Sequence, residues 1–266
     1  MTKVAVVGHV EHVQFICVAR LPAAGEVIVG EDAGTRAAGG AAVAAVALAR
    51  LGAEVDLFCA LGSDGAGESA ISELSELGIA VHAARRAGPT RRVVTLLERG
   101  GERTIVTLGE RLAPRGADRL PWQRLDAADG AYLTAGDPGA VRNARRAGVL
   151  VATPRIREGL ASAEAPVDAL VFSDRDRDER QWAASLADRA RLMVATDGER
   201  GGRWWGETEG RWKAVDPPGP AQDSYGCGDA FAAGLTFGLA SGRGMAEAAA
   251  LGARCGAEML ARIGAP

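Results

Sequence analysis

The chain has 266 residues, 47% of them hydrophobic and 24% charged, with a formal net charge of −3. That balance supports a sizeable buried core and excludes a disordered, collagen-like or coiled-coil chain. It also gives no electrostatic footprint for nucleic acid or an anionic membrane, so small-molecule partners are favoured.

The opening run Val4-Ala5-Val6-Val7-Gly8 is short, β-branched and closed by glycine, the pattern of a buried parallel strand. Similar runs at 55–60, 130–134, 149–152, 169–172 and 192–196 predict further strands. Alanine-rich stretches at 40–51, 66–77, 139–147, 179–189, 228–241 and 245–261 predict helices. The alternation implies a parallel sheet with helices on both faces. Residues 13–30 and 91–107 break the rhythm and read as extended strands, the second pair turning at Gly100-Gly101. The expected organisation is one domain over 1–266, with a small β-lid built from segments at about 10–36 and 90–107. Cys17, Cys59, Cys227 and Cys255 have no paired spacing, and no charged-then-apolar leader or long apolar run is present, which predicts a reducing cytoplasm. His9, His12 and His82 lack the spacing of a zinc site.

The 36 glycines exceed average usage, and a few of them are spaced for chemistry. In Asp223-Ser224-Tyr225-Gly226-Cys227-Gly228-Asp229, the following Phe231, Leu235 and Leu239 recur every four residues, so a helix starts near Gly228. Free amides and the positive end of its dipole make that turn a candidate anion hole for a phosphate. Asp229, in the first helical turn, has two readings. It is either an acidic residue favourable to the dipole, or a carboxylate that accepts the proton of a hydroxyl attacking a phosphoryl group. A dinucleotide fingerprint fails because Phe231 occupies the third glycine position. A P-loop fails because neither lysine, Lys3 nor Lys213, follows the required glycines.

Gly39-Gly40, then Gly62-Ser63-Asp64-Gly65-Ala66-Gly67, then Gly101-Glu102-Arg103-Thr104, then the Asp223–Asp229 run stand in the order seen in the ribokinase-like (PfkB) carbohydrate kinases, which the chain resembles over nearly its whole length. The resemblance implies an α/β fold, a three-layer α/β/α sandwich with a mostly parallel sheet and a β-lid. It also implies ATP-dependent phosphorylation of a sugar or sugar-like hydroxyl, with Mg²⁺ and, in many members, a monovalent cation such as K⁺. By the resemblance Asp229 is the base, the amides of Gly226, Cys227 and Gly228 form the anion hole, and Gly39 and Gly40 receive the substrate. Asp137 matches a substrate-contacting carboxylate of some members, and also reads as a turn aspartate before Pro138. Thr196, Gly198 and Gly201 match the nucleotide-contacting segment, Asp223 the monovalent-cation position, and Asp176 the residue that orders Mg²⁺ through water. Relatives often pair through their lids, which implies a homodimer.

Several positions depart from the family pattern. Val13 stands where a sugar-gripping aspartate is usual, and Ala44 where an asparagine is usual; the nearby His9, Glu11 and His12 read either as solvated residues at a strand end or as polar groups that substitute. Ser173 replaces the asparagine of the metal-organising motif, and Asp174, Asp176 and Asp178 also read as part of a solvated charge run. These changes keep open a nucleoside or cyclitol kinase, or a weakly catalytic nucleotide or metabolite sensor. Cys227 stands where the family usually has a small residue such as alanine and reads as small enough to fit there; at a helix N-terminus it also reads as a reactive thiol whose alkylation ATP slows.

Overall fold

The computed structural model describes residues 1–98 and 103–262. In chain order the first half contains β1 (Lys3–Val7), β2 (Glu11–Val18), β3 (Glu31–Ala38), α1 (Gly40–Arg50), β4 (Glu54–Gly62), α2 (Gly65–Glu76), β5 (Ala80–Arg86), β6 (Arg92–Glu98) and β7 (Arg103–Leu108). The second half contains β8 (Gly130–Leu133), α3 (Pro138–Ala144), β9 (Val149–Ala152), α4 (Arg157–Ala163), β10 (Val167–Ser173), α5 (Arg177–Ser185), β11 (Ala190–Thr196), β12 (Gly202–Gly206), β13 (Gly210–Trp212), α6 (Cys227–Ala240) and α7 (Met245–Leu260).

Nine strands form one sheet in the order β13-β12-β11-β10-β9-β8-β1-β4-β5. It is parallel from β11 to β5, and β12 and β13 add an antiparallel edge. Apolar residues on both faces of each central strand explain this, because a parallel sheet must be covered on both sides. Along β1, Val4 and Val6 pack with α1, α2, α6 and α7. Ala5 and Val7 pack with α3, α4 and α5 on the opposite face. The result is the three-layer α/β/α arrangement that the strand–helix alternation predicts.

The extended segment expected over 13–30 is divided differently. Strand β2 ends at Val18, residues 19–30 have no regular structure, and the next strand begins only at Glu31. Strands β2, β3, β6 and β7 form a separate sheet in the order β3-β2-β6-β7, with β2 and β6 parallel and the outer pairs antiparallel. Its inner residues Val13, Phe15, Val93 and Leu97 share a third core with Val43 of α1, Ala230 of α6 and Leu251, Cys255 and Met259 of α7. The second sheet is therefore fastened to the same helices that start at the glycine motifs. The Gly100-Gly101 turn expected between β6 and β7 lies outside the described residues. Among the described residues no helix is long and apolar enough to cross a membrane.

Strands β5, β12 and β13, with helix α4, are additions to the elements expected from the sequence. β5 lies at one edge of the large sheet and the β12–β13 pair at the other, and their arginine-containing sequences lack the apolar run of a central strand. The helix expected over 179–189 starts two residues earlier and ends at Ser185, with a 3-10 turn over Ala187–Arg189.

The Gly62–Gly67 motif is a structural joint. Asp64 caps α2 by accepting the Gly67 amide at 3.0 Å, and it also accepts the Thr90 amide at 2.9 Å and the Thr90 hydroxyl at 2.6 Å. A Cβ at Gly62 would lie 2.4 Å from the Thr90 nitrogen, so only glycine permits this approach. The Thr90 hydroxyl bond, first, and the amide bonds hold the Asp64 carboxyl below the usual range. Asp64→Ala should lower stability by about 1–2 kcal/mol, read as the midpoint of chemical denaturation. A carboxyl with a depressed folded pKa stabilises above its unfolded pKa and loses that contribution as pH falls, so the deficit of the variant should shrink in acid.

Candidate active site

Two helices meet N-terminus to N-terminus at the carboxyl ends of β1 and β8. Helix α1 starts at Gly40 after Gly39, whose φ of 87° is left-handed, and α6 starts at Cys227 after Gly226, whose φ is 73°. The approach is close enough to require glycine on both helices. A Cβ at Gly40 would lie 2.8 Å from Asp229 Oδ1, and one at Gly226 would lie 2.8 Å from Val43 Cγ1. The sequence motifs Gly39-Gly40 and Gly226-x-Gly228-Asp229, 186 positions apart, thus form one junction.

Asp229 occupies the first turn of α6 with only part of its surface accessible. The Tyr132 hydroxyl, from β8, donates to Asp229 Oδ1 at 2.9 Å. Burial pushes the Asp229 carboxyl above the ordinary range, opposed by the Tyr132 hydrogen bond and then by the charge of Arg155, while Glu179 adds to the rise. Arg155 is held by Glu179 through Nε at 2.6 Å. Glu179 is itself buried and accepts the Ser173 amide at 2.8 Å. Tyr132, Arg155 and Glu179 belong to no motif in the sequence. A lone tyrosine in an apolar strand looks like core, and a charged run at 174–180 looks like a solvated face.

Neither the Gly226 nor the Gly228 amide has an acceptor among the described residues, and the Cys227 amide has only a 3.4 Å contact to the Ser224 carbonyl. These amides stand at the positive end of a 14-residue helix, the geometry of an anion hole. A Cβ at Gly228 would meet open space, which leaves room for a phosphate. Arg103 of β7 reaches the Ser224 hydroxyl, so the Gly-Glu-Arg-Thr motif ends beside the hole. Asp223 is buried beneath, accepting the Tyr225 amide at 2.9 Å. The Tyr225 hydroxyl accepts the Gly39 amide at 3.1 Å and ties this loop back to α1.

The expectation of a reactive Cys227 is corrected. Burial, the largest influence, pushes its thiol up to about 12, outweighing the Arg103 charge. A thiol with so high a pKa, on a half-buried residue, remains protonated at neutral pH and is a poor nucleophile.

A cleft of about 560 Å³ opens from the anion hole. Thr196, Gly198 and Gly201 line it on the β11 side, and Cys227, Gly228 and Asp223 line it on the α6 side. Its far wall is apolar, with Val215, Pro217, Phe231, Ala257 and Leu260, a surface that fits a flat aromatic base. Gly201 is fixed by packing, since φ is 83° and a Cβ would lie 2.2 Å from the Trp212 carbonyl oxygen.

On the other side of Asp229 stand His9 and Glu11. The Gly40 amide donates to His9 Nε2 at 3.2 Å, and Arg91 donates to Glu11 Oε1 at 3.0 Å. Burial first, then Arg111, Arg91 and Arg155, push His9 down to about 3, so the ring is neutral. Val13 and Ala44 are fully buried in the core. His12 alternates to the opposite face of β2 from Glu11 and Val13. Asp137 caps α3: its Oδ1 accepts the amides of Ala140 and Gly116, each at 2.8 Å, as the turn reading requires. Asp176 caps α5 through Oδ1, leaving Oδ2 3.9 Å from Arg155.

The family model described as pfkB family carbohydrate kinase matches residues 1–147 and 147–266. An ATP-dependent ribose-1-phosphate kinase of Halopiger xanaduensis is 30% identical over 286 aligned positions, covering 100% of this chain and 94% of that protein. An acarbose 7(IV)-phosphotransferase of Actinoplanes sp. is 49% identical over 72 residues, which is 26% of this chain and 24% of that protein. Among solved structures, the microbiome-derived acarbose kinase Mak1 superposes with a TM-score of 0.81 at 23% identity, over 99% of this chain and 94% of that one. Arabidopsis thaliana ribokinase complexed with ribose and ATP superposes with a TM-score of 0.78 at 19% identity, over 100% and 95%. With its ribokinase-like fold and a family match along its whole length, the chain belongs to the pfkB carbohydrate kinases, phosphotransferases whose acceptor is a hydroxyl group.

Proposed function

We propose that this protein transfers the γ-phosphoryl group of ATP to a hydroxyl of a sugar or sugar-like small molecule, with Asp229 as the base. The observation that carries the reading is the position of Asp229 against Gly40, one residue past the free amide of Gly228, which lines a cleft that fits a nucleotide. The acceptor oxygen attacks the γ-phosphorus, the bond from phosphorus to the oxygen of ADP breaks, and the hydroxyl proton passes to Asp229. A carboxylate is too weak to ionise an alcohol beforehand, so its contribution is position. The amides of Gly226, Cys227 and Gly228 stabilise charge on the transferring group.

The donor set fits Mg²⁺ held mainly by the nucleotide. Among the described residues no cluster of three or more carboxylate, histidine or cysteine side chains could cage a metal. Mg²⁺ needs few protein ligands because it keeps its waters and binds phosphate, and Asp176 Oδ2 is the carboxylate oxygen left over from the α5 cap. When bound, the ion neutralises phosphate charge. The Asp223 carboxylate is the residue assigned to a monovalent cation, and Gly39, Gly40 and Asp137 to the substrate side.

The second sheet ends in β7, an edge strand whose Ile105, Val106 and Leu108 are 41–48% exposed. A second copy of the chain is the partner that suits this edge, and sedimentation velocity should read a dimer that Val106→Lys converts to monomer.

Asp229→Asn should lower kcat by at least about 10³-fold, as expected when a positioned base and the contacts around it are lost, with ATP affinity nearly unchanged. Retained acceptor-dependent ADP release in this variant would exclude Asp229 as the base. The same variant should be at least as stable as the parent at pH 7–8. A carboxyl whose folded pKa lies above its unfolded value destabilises the fold in full once pH exceeds both; the difference should shrink as pH falls below the raised value and vanish below the unfolded one. Tyr132→Phe removes the hydrogen bond that favours the ionised carboxylate, so the acid limb of its kcat profile should move to higher pH.

A further inference from the structure

Among the described residues that line the nucleotide cleft, Arg175 is the single cation. It lies in the loop between β10 and α5, two residues past Ser173, where the chain departs from the family's asparagine. Its guanidinium lies flat over Gly198, since a Cβ there would stand 2.8 Å from Cζ, 2.9 Å from Nη1 and 3.1 Å from Nη2. Two of its nitrogens are engaged. Nε donates to Asp197 Oδ1 at 3.0 Å, while Nη2 donates to the Asp197 carbonyl at 2.9 Å and to Glu199 Oε1 at 3.0 Å. Nη1 has no acceptor among the described residues. The side chain is 44% exposed, so it is accessible to a ligand.

The two ends of the cleft constrain what lies between them. The amides at the start of α6 take the transferring phosphate, and the apolar wall of Val215, Pro217 and Leu260 takes a flat base. The α- and β-phosphates of a nucleotide that spans them therefore pass between Gly228 and the turn at Thr196 and Gly198 that Arg175 covers. That turn is tied to the Arg175 loop by the Asp174 amide, which donates to the Thr196 carbonyl at 2.8 Å. Glu199, Asp216 and Asp223 also line the cleft, and their charge opposes a triphosphate, which makes the single cation decisive. No P-loop lysine supplies it instead. A guanidinium offers phosphate charge-assisted hydrogen bonds, and Nη1 alone carries two N–H groups.

We infer that Arg175 binds the nucleotide through Nη1, one N–H to the α-phosphate and one to the β-phosphate, with Asp197 holding the guanidinium over Gly198 for that contact. This rests on the kinase reading above. Asp197 accepts from both Nε and Nη2, which fixes the orientation of the fork. Glu199, whose side chain is 84% exposed, is a rim carboxylate that competes with phosphate for the same charge. The nucleotide adds acceptors to Nη1, and no bond between protein groups has to break.

The test is calorimetric titration of the full chain, in the presence of Mg²⁺, with ATP, ADP and AMP. Arg175→Gln should weaken ATP and ADP about 10-fold, the scale of a charge-assisted contact on a partly exposed side chain. AMP, which keeps only the α-phosphate half of the contact, should weaken distinctly less, so the preference for ADP over AMP shrinks. Without ligand the variant should melt within a few degrees of the unsubstituted protein, because exposed ion pairs contribute little to stability. Glu199→Gln keeps the turn and removes the competing carboxylate, so ADP should bind it at least as tightly as the unsubstituted protein. Unchanged ADP affinity in Arg175→Gln overturns the inference. So does equal weakening of ADP and AMP, or weaker ADP binding by Glu199→Gln, since either marks Arg175 as a tie between two loops. Those outcomes leave the kinase reading standing, whereas an unsubstituted protein that binds neither ATP nor ADP removes both.

Discussion

The approach of Gly40 to Asp229 is the constraint on which the site depends. A carboxylate cannot be packed against the start of another helix unless the residue there has no side chain, and a Cβ at position 40 would overlap Oδ1 at 2.8 Å. Bringing the helices this close aims two sets of positive helix ends at one carboxylate, which offsets part of the burial that disfavours its charge. The reciprocal contact of Gly226 with Val43 fixes the spacing from the other helix. With both glycines in place, the anion hole, the base and the substrate-side turn are set by backbone packing. Their geometry does not depend on the rotamers of long side chains.

The second sheet is held to this junction by polar ties at its two ends and by an apolar core between them. Asp64 fixes Thr90, and Thr90 immediately precedes Arg91. Arg103 reaches Ser224 beside the anion hole. Tyr225 carries the contact to Gly39 and packs edge-on against Phe15 of β2, 5.4 Å between ring centres. Motifs far apart in the chain thereby converge on one pair of helix starts. It follows that a loop substitution at Asp64 acts on the site through Thr90 and Arg91, without touching a ligand.

The central strands and most helices were legible because their apolar runs and periodicity reflect burial on both sheet faces. The edge strand β5 and the short β12–β13 hairpin at the other edge were not, since strands at a sheet margin need no continuous apolar run. The glycines at 39, 40, 226 and 228 could be picked out because glycine is required where a backbone approaches something closely, and spacing records that. Tyr132 and Glu179 were illegible: each is a single polar residue whose partner, Asp229 or Arg155, comes from a distant segment. The expectation for Cys227 failed for a different reason. Position at a helix N-terminus lowers a thiol pKa only when the sulfur is solvated, and here burial dominates.

Charge balance joins the two halves of the proposed reaction. With ATP in the cleft, Asp229 faces an anion that favours its protonated form. Burial already holds its pKa above the ordinary range, and Glu179 adds to that rise. The Tyr132 hydroxyl, then Arg155 and Arg111, act the other way and favour the ionised carboxylate. The groups around the base thus oppose both its burial and the charge of the nucleotide, and so govern how readily the carboxylate takes the acceptor's proton.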